Sequence, residues 1–534
     1  GLPPRAAAGE RPHRRARRRP RSGAMRWLAQ YPLLTSAVVA LCGVTLIIFG
    51  SLWPAGPSSG EPPHAVREQL HQRHVHALAE LKRAGLDSEV EVVDYGDAIG
   101  MGVMRGVQAG EVLLTVPEAL VLSSAKARSC PPGEAGAGRP PSREAPLDCR
   151  IEHFVVEAVA KKNASRSIGL LVLLVMERRR GLVPGLEPTA ASAVLEVLPK
   201  VAWQEENGIF SIDAEEFRVL GAGTSMEGWR DAAMNETAEA HSFIQGSELA
   251  SLLGGEVLLE EVRWAYLVLH AHGQWMEDDG LDDGVELPTQ VVFLWPLFLA
   301  RPTPEWQHGV QLRYDSKRRV YEALAPRAMR QGEELLLVDR RLSDASVLCY
   351  QGLWLAAGRH RARLALDLGH APRDPQSEST LRKYGCGGQP LRLFVQARQS
   401  VDAHFLSCMR MLALAANATR LHRVEQSGWM RHWPDTSVLG RSTESMAAEL
   451  AINALQQVLQ RLGASSAEIR QRYGSDAVAA RPAVRVREAE TMVVIGLLKS
   501  MKELQLLTSN EYLFEALRDN VRQRKDDRAR TKAY

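Results

Sequence analysis

Strand-forming patterns occur in two blocks that lie far apart in the chain. EVEVVDYGDAIGMGVMRGVQAGEVLLTVPEALVLSS, residues 89–124, has strand-like runs at 90–95 and 111–116 with glycines clustered between them. Such patterns return only at 289–299, 309–314, 319–325 and 334–338, the last set up by a turn at Gln331-Gly332. Between the blocks the pattern is helical. SIGLLVLLVMERRRG (167–181) reads as a buried helix with arginines at its C-terminal end, where the helix dipole favours cations. A polar helical region follows to about Asp283. From about Arg359 the strand patterns stop. TESMAAELAINALQQVLQRL (443–462) sets Met446, Leu450, Ala454, Leu455, Val458 and Leu462 on one helical face, and VREAETMVVIGLLKSMKEL (486–504) does the same. The order is therefore strands, helices, strands, then an all-helical unit, which makes the fold class α+β. RQRKDDRARTKAY closes the chain as a solvated tail.

At 534 residues the chain is long enough for two folded units plus tails. Its net charge of +3 is concentrated in RPHRRARRRPRSGAMR (11–26), and without that arm the remainder is slightly acidic. A nucleic-acid surface on the folded part is not expected. Between Arg26 and Glu61 there is no charge at all, and Leu33–Trp53 matches the ~20 apolar residues that cross a bilayer as a helix. Trp27, Tyr31 and Trp53 stand near its ends, where amphipathic rings prefer the headgroup layer. The run predicts a retained single-pass anchor over 27–53 in place of a cleaved signal, whose apolar part is only ~7–15 residues long. The arginines set the cytoplasmic side and the rest faces a lumen. Sequons at Asn163, Asn235 and Asn417 agree with that, while an Arg-rich arm is also compatible with organelle targeting.

Residues 54–63 read as a stalk, and HAVREQLHQRHVHALAELKRAG as a short helix ending at Gly85. Its His64, His71, His74 and His76 lack a ligand pattern and are assigned to a polar face. Six cysteines without a CxxC pair are too few for a disulfide framework and predict no metal site. Cys130 and Cys149 bracket a Pro/Gly loop that they close if the compartment oxidises; otherwise they are free thiols. No P-loop, HExxH or GxSxG motif is present.

The local motifs point further. GMGVMRGVQAGEVLLTVP resembles the opening of a SET domain, and LLVLLVMERRRG, VLEVLPK, FSIDAEEFRVLGAGT and EEVRWAYLVLHAHGQ follow in the order of one SET subgroup's insert. That subgroup is the Rubisco large-subunit lysine methyltransferases, with the related actin-histidine methyltransferases. QGEELLLVDRRLSDASVLCYQGLWL is similar to its closing segment, and LRLFVQARQ to MKEL to its substrate-binding helices. The resemblance implies a SET domain over 86–358 with a helical insert at about 150–285, then a substrate-binding helical domain over 385–506 and a tail over 507–534. It also implies S-adenosylmethionine as cofactor and a protein lysine or histidine side chain as substrate. In such a transfer most of the catalysis is orientation and desolvation of an unprotonated amine.

Carried over residue by residue, the family's site falls on few positions. Gly100, Met101 and Gly102 supply the G-x-G turn, where the backbone approaches the cofactor; a plain hairpin turn explains them equally. The arginine beside the cofactor's carboxylate is replaced by His272, a weaker, pH-dependent partner; a surface histidine at a helix end explains it equally. The P-L-x-D-x-x-N-H pattern, aligned on Pro296-Leu297, puts Leu299, Pro302 and Thr303 at the Asp, Asn and His positions. Proline has neither an amide donor nor a polar side chain. Each lost hydrogen bond to a ligand costs about 1–3 kcal/mol. The stretch LWPLFLARPT is therefore expected to be core strand. The catalytic tyrosine position reads Asp339, and a carboxylate there would favour the ammonium form of a lysine, the wrong direction for a nucleophile. Tyr321 and Tyr350 are the other tyrosines considered for that role. Two functions stay open: a membrane-anchored methyltransferase with diverged motifs, and a non-catalytic scaffold that binds a protein partner through its helical domain.

Overall fold

In the computed structural model the described residues run from 64 to 519, apart from 97–98, 125–143 (where Cys130 and Ser142 are described), 162, 199–220 (where Ile209, Phe210 and Phe217 are), 277–289, 298–299, 304–308, 316, 339–360 (where Ser343, Ala345 and Ser346 are), 369–374, 388–390, 397–402, 416–417, 427–438, 464–481 (where Gln471 is) and 517. The expected anchor Leu33–Trp53 lies outside them. Among the described residues no helix is long and apolar enough to cross a membrane.

Helix α1 (His64–Arg83) ends because Gly85 takes φ +102° and turns the chain back, so that Leu86 N–H donates to Leu81 O at 3.0 Å. Its inner face is Ala77, Leu78 and Leu81. His74 joins them, against the expectation of an all-polar histidine face. It is buried, its Nδ1 lies 2.7 Å from Leu70 O, and desolvation lowers its pKa.

The first strand block forms at both expected runs, and the glycine cluster between them adds a strand of its own. Strands β1 (Asp87–Ser88), β2 (Val90–Asp94), β3 (Ile99–Val103), β4 (Val112–Pro117) and β5 (Val121–Ser123) precede the helices. The insert contains α2 (Leu147–Ala160), α3 (Arg166–Arg179), α4 (Ser225–Gln245) and α5 (Leu259–His272). Ser165 caps α3 by accepting the Ile168 N–H at 3.2 Å, and residues 168–177 of that helix are buried on every side. A helix closed in this way must discharge its polar end. Arg179 does so by donating to Glu261 and to the Leu253 and Glu256 carbonyls, and Arg180 by pairing with buried Glu177 at 2.8 Å. Removing one member of such a buried pair costs about 3–5 kcal/mol, although the intact pair adds little net stability.

The second block returns as β6 (Gln274–Met276), β7 (Gln290–Leu294), β8 (Arg301–Thr303), β9 (Gly309–Asp315), β10 (Val320–Leu324) and β11 (Leu336–Val338). A six-stranded sheet runs β1-β4-β10-β9-β11-β8, antiparallel except that β11 is parallel to both β9 and β8. β5-β7-β6 form a second sheet and β2-β3 a ribbon. LWPLFLARPT is not one core strand. Trp295–Leu297 make a buried 3-10 turn, which Pro296 imposes by removing an amide donor, and β8 begins only at Arg301.

The region after residue 358 is not all helical. β12 (Arg361–Leu366) and β13 (Leu391–Gln396) form an antiparallel ribbon that buries Ala362, Leu364, Leu366, Leu391, Leu393 and Val395. This period-2 alternation was present in RARLAL and LRLFVQ but is only six residues long in each case. Around the ribbon lie α6 (Pro375–Lys383), α7 (Ala403–Ala415), α8 (Ala418–Gln426), α9 (Arg441–Leu462) and α10 (Pro482–Ser509). On α9 the expected face is buried at Ala454, Leu455, Val458 and Leu462 and half-buried at Leu450, and it differs only at its first turns. Met446 is 40% exposed, while Ala447, Ala448, Ala451 and Ile452 are buried and Glu444 accepts from buried Arg410 at 2.9 Å. Two hydrophobic cores result, and α10 joins them. Its start, Ala483, Val484 and Val486, packs in the first core and Val493 to Met501 in the second. Glu490 on the same helix accepts the Ser225 N–H at the start of α4. Cys130 pairs with Cys149, closing the expected loop, and Cys386 pairs with Cys408, which the sequence reading did not anticipate.

Candidate functional site

The glycine pair lies on a strand and not in a turn. Gly100, Met101 and Gly102 belong to β3, and the chain reverses before it, with Gly96 at φ +88°. The chain itself occupies each side of that strand. One edge pairs with β2. The other meets the segment entering β11: Leu335 N–H donates to Met101 O at 2.7 Å and Val103 N–H to Glu333 O at 3.1 Å. Met101 points into the first core and is fully buried.

Tyr95 covers the glycine face. Its hydroxyl lies 3.3 Å from the Met101 carbonyl and 3.2 Å from that of Gly332. A Cβ on Gly102 would stand 2.7 Å from that hydroxyl and 2.8 Å from a Val93 methyl; one on Gly100 would stand 3.1 Å from the Tyr95 ring and from a Glu334 carboxylate oxygen. The glycines are required here by close approach within the chain. S-adenosylmethionine would need an open edge or face at this pair. Among the described residues neither is open, so Gly100–Gly102 as arranged here does not fit the cofactor.

Of the remaining predicted positions, Pro302 and Thr303 lie beside one strand, β11. β11 is joined to β3 through the hydrogen bonds at 333–335, and its Leu337 and Val338 lie in register with Pro302 and Thr303 of β8. Asp339, Leu299 and Tyr350 lie outside the described residues. Tyr321 belongs to β10, two strands away, with its ring 4.7 Å from that of Tyr314.

His272 ends α5 with its ring edge-on to Phe293 at 6.5 Å, and Phe293 packs in turn on Trp295 at 4.7 Å. Desolvation lowers its pKa to about 4. That favours the neutral ring at physiological pH and disfavours the pH-dependent cationic role that the resemblance implies. Sequence reasoning missed Tyr95 and Glu334, which carry no motif; the β2–β3 hairpin brings Tyr95 over the glycines and the pairing of β3 with residues 332–335 brings Glu334. It also missed a cluster of Cys386, His404 and Cys408, whose ligand atoms lie within 4.8 Å of one another. The H-x3-C spacing of its last two members on one helix was the available signal.

No family model matches the chain, and no curated protein matches it. Among solved structures it is similar to Rubisco LSMT bound to AdoMet, with 16% identity and a TM-score of 0.47 over 82% of this chain and 93% of that one. It is also similar to the SET domain of LSMT bound to lysine and AdoHcy, with 16% identity and a TM-score of 0.46 over 82% and 92%. Rubisco LSMT bound to sinefungin and monomethyllysine matches with 16% identity and a TM-score of 0.45 over 82% and 93%.

Gly102→Ala is expected to destabilise the protein by about 1–3 kcal/mol, because the added methyl has no room. In a Tyr95→Ala background the same substitution should cost less by about 0.5 kcal/mol or more. Urea denaturation of the four proteins measures this, and an equal cost in both backgrounds would contradict the packing described. For His272 the folded pKa lies below the unfolded value of 6.5, so between about pH 6.5 and 4 the unfolded chain binds more protons. Its contribution to stability is full above pH 6.5 and falls as pH drops towards 4, by about 2–3 kcal/mol at most. His272→Gln should flatten that part of the stability–pH curve measured by denaturant titration.

Proposed function

We propose that this chain is a membrane-anchored SET-type relative of the protein-lysine methyltransferases that does not hold S-adenosylmethionine and works as a protein-binding scaffold. The observation that carries this reading is the closure of Gly100–Gly102 by Tyr95, β2 and residues 332–335. A neutral His272, and a proline where the family resemblance calls for asparagine, support the same reading. A second reading, methyl transfer with diverged motifs, is favoured by one feature. Residues 332–338, which precede Asp339 in sequence, pair with the glycine strand at one end and with Thr303 at the other.

Calorimetric titration of the detergent-solubilised full chain with S-adenosylmethionine separates the two. The scaffold reading expects no saturable heat up to about 1 mM donor, and a Kd of about 10 μM or tighter would overturn it.

The anchor at Leu33–Trp53 and a lumenal orientation belong to the same proposal. They are supported by the uncharged run, the Cys130–Cys149 pair and the position of Asn163, exposed in the loop before α3. Asn235 is less suited, since it lies within α4 and the Thr237 hydroxyl of its sequon is buried and donates to Ala233 O at 2.7 Å. Expression in a eukaryotic host should give an endoglycosidase-sensitive mass shift that Asn163→Gln reduces. A glycan-free product would exclude the lumenal orientation.

A further inference from the structure

We propose that Cys386, His404 and Cys408 form a redox-gated site for a thiophilic divalent cation such as Zn2+, closed in its disulfide form and open when reduced. The three residues come from two elements held in place independently of the sulfur–sulfur bond. His404 and Cys408 stand one turn apart on α7 and share a face, and His404 Nε2 lies 3.8 Å from Cys408 Sγ. Cys386 sits in the turn that ends α6. There Gly385 takes φ +70° and donates to Arg382 O at 3.0 Å, and Cys386 N–H donates to Leu381 O at 2.8 Å. Gly387 continues the turn against the Arg382 backbone, where a Cβ would stand 2.8 Å from the Arg382 nitrogen. The turn therefore presents Cys386 to α7 whether or not the sulfurs are joined.

The geometry matches what a tetrahedral ion asks for. With Zn–S near 2.3 Å and Zn–N near 2.0 Å, neighbouring ligand atoms lie about 3.5–3.8 Å apart. The His404–Cys408 separation already has that value, and all three ligand atoms fall within 4.8 Å. Both cysteines are fully buried in the second core, whereas His404 is exposed at its rim. An ion would reach the sulfurs past the imidazole, and the fourth position would remain for water, as in the Cys2His sites that bind zinc with one open position. Opening requires a reductant. Two equivalents of an external thiol are oxidised to their disulfide while the Cys386–Cys408 bond takes up two electrons and two protons to give two thiols. Zn2+ then displaces those protons and binds the two thiolates and the neutral imidazole.

This inference stands apart from the question of methyl transfer, since the cluster lies in the second core and not at the β3–β11 junction. The test uses the full chain, reduced with a phosphine and dialysed against Zn2+. About one tightly held Zn2+ per chain is expected after reduction and none before it. Co2+ in place of Zn2+ should give thiolate-to-metal charge-transfer bands. His404→Ala keeps both cysteines and should weaken Zn2+ binding by on the order of tenfold or more. Cys386→Ser should abolish binding, while the Cys130→Ser, Cys149→Ser double variant should leave it unchanged. The proposal fails if the reduced chain takes up no Zn2+, if His404→Ala binds as tightly as the parent, or if uptake follows Cys130 and Cys149 instead.

Discussion

The pairing of β3 with residues 332–335 is the contact on which the first half of the molecule depends. It sets the Met101 and Val103 backbone against Leu335 and Glu333, and it brings the Gly332 carbonyl under the Tyr95 hydroxyl. The same segment continues into β11, which orders β8 and β9 on its two sides. A backbone ladder of this kind is non-local but unforgiving in register, because a slip of one residue would turn Met101 out of the core and force the glycine positions inward. Glycine at 100 and 102 and methionine at 101 are the residues that this sandwiching permits.

The order of elements could be read from the chain because strand alternation and helical periodicity are local properties. The two strand blocks, the buried helix at 166–179 and the long helices at 441–462 and 482–509 all appear where the pattern puts them. The departures have separate physical causes. β12 and β13 are short strands whose stability comes from packing on neighbouring helices, so their own sequences carry little signal. The expected face of α9 holds from Ala454 to Leu462, but at its first turns the structure buries Ala447, Ala448 and Ala451, which let helices approach closely, and leaves Met446 outside.

The candidate site was partly legible. A resemblance of motifs located Gly100–Gly102, Pro302 and Thr303, and the sheet connects them through one strand. What the sequence could not indicate is what fills the space beside them. Tyr95 stands only five residues before Gly100, but its ring reaches the glycines because β2 and β3 fold back on each other. His272 looked like a titratable partner, and its environment removes that property: the ring lies against Phe293 and loses its hydration.

Tyr95 and Gly332 are 237 positions apart in the chain. Closing a flexible loop of that size costs about 2 kcal/mol more than closing one of some 20 residues, since the penalty grows with the logarithm of length. The helices between them shorten the effective path if they collapse first. Helix α3, buried on every side among its neighbours, is the element best suited to start that collapse. The insert thus acts as a folding spacer. The barrier to making the β3–β11 ladder is set by how early α2 to α5 consolidate, so destabilising α3 should slow refolding more than it speeds unfolding.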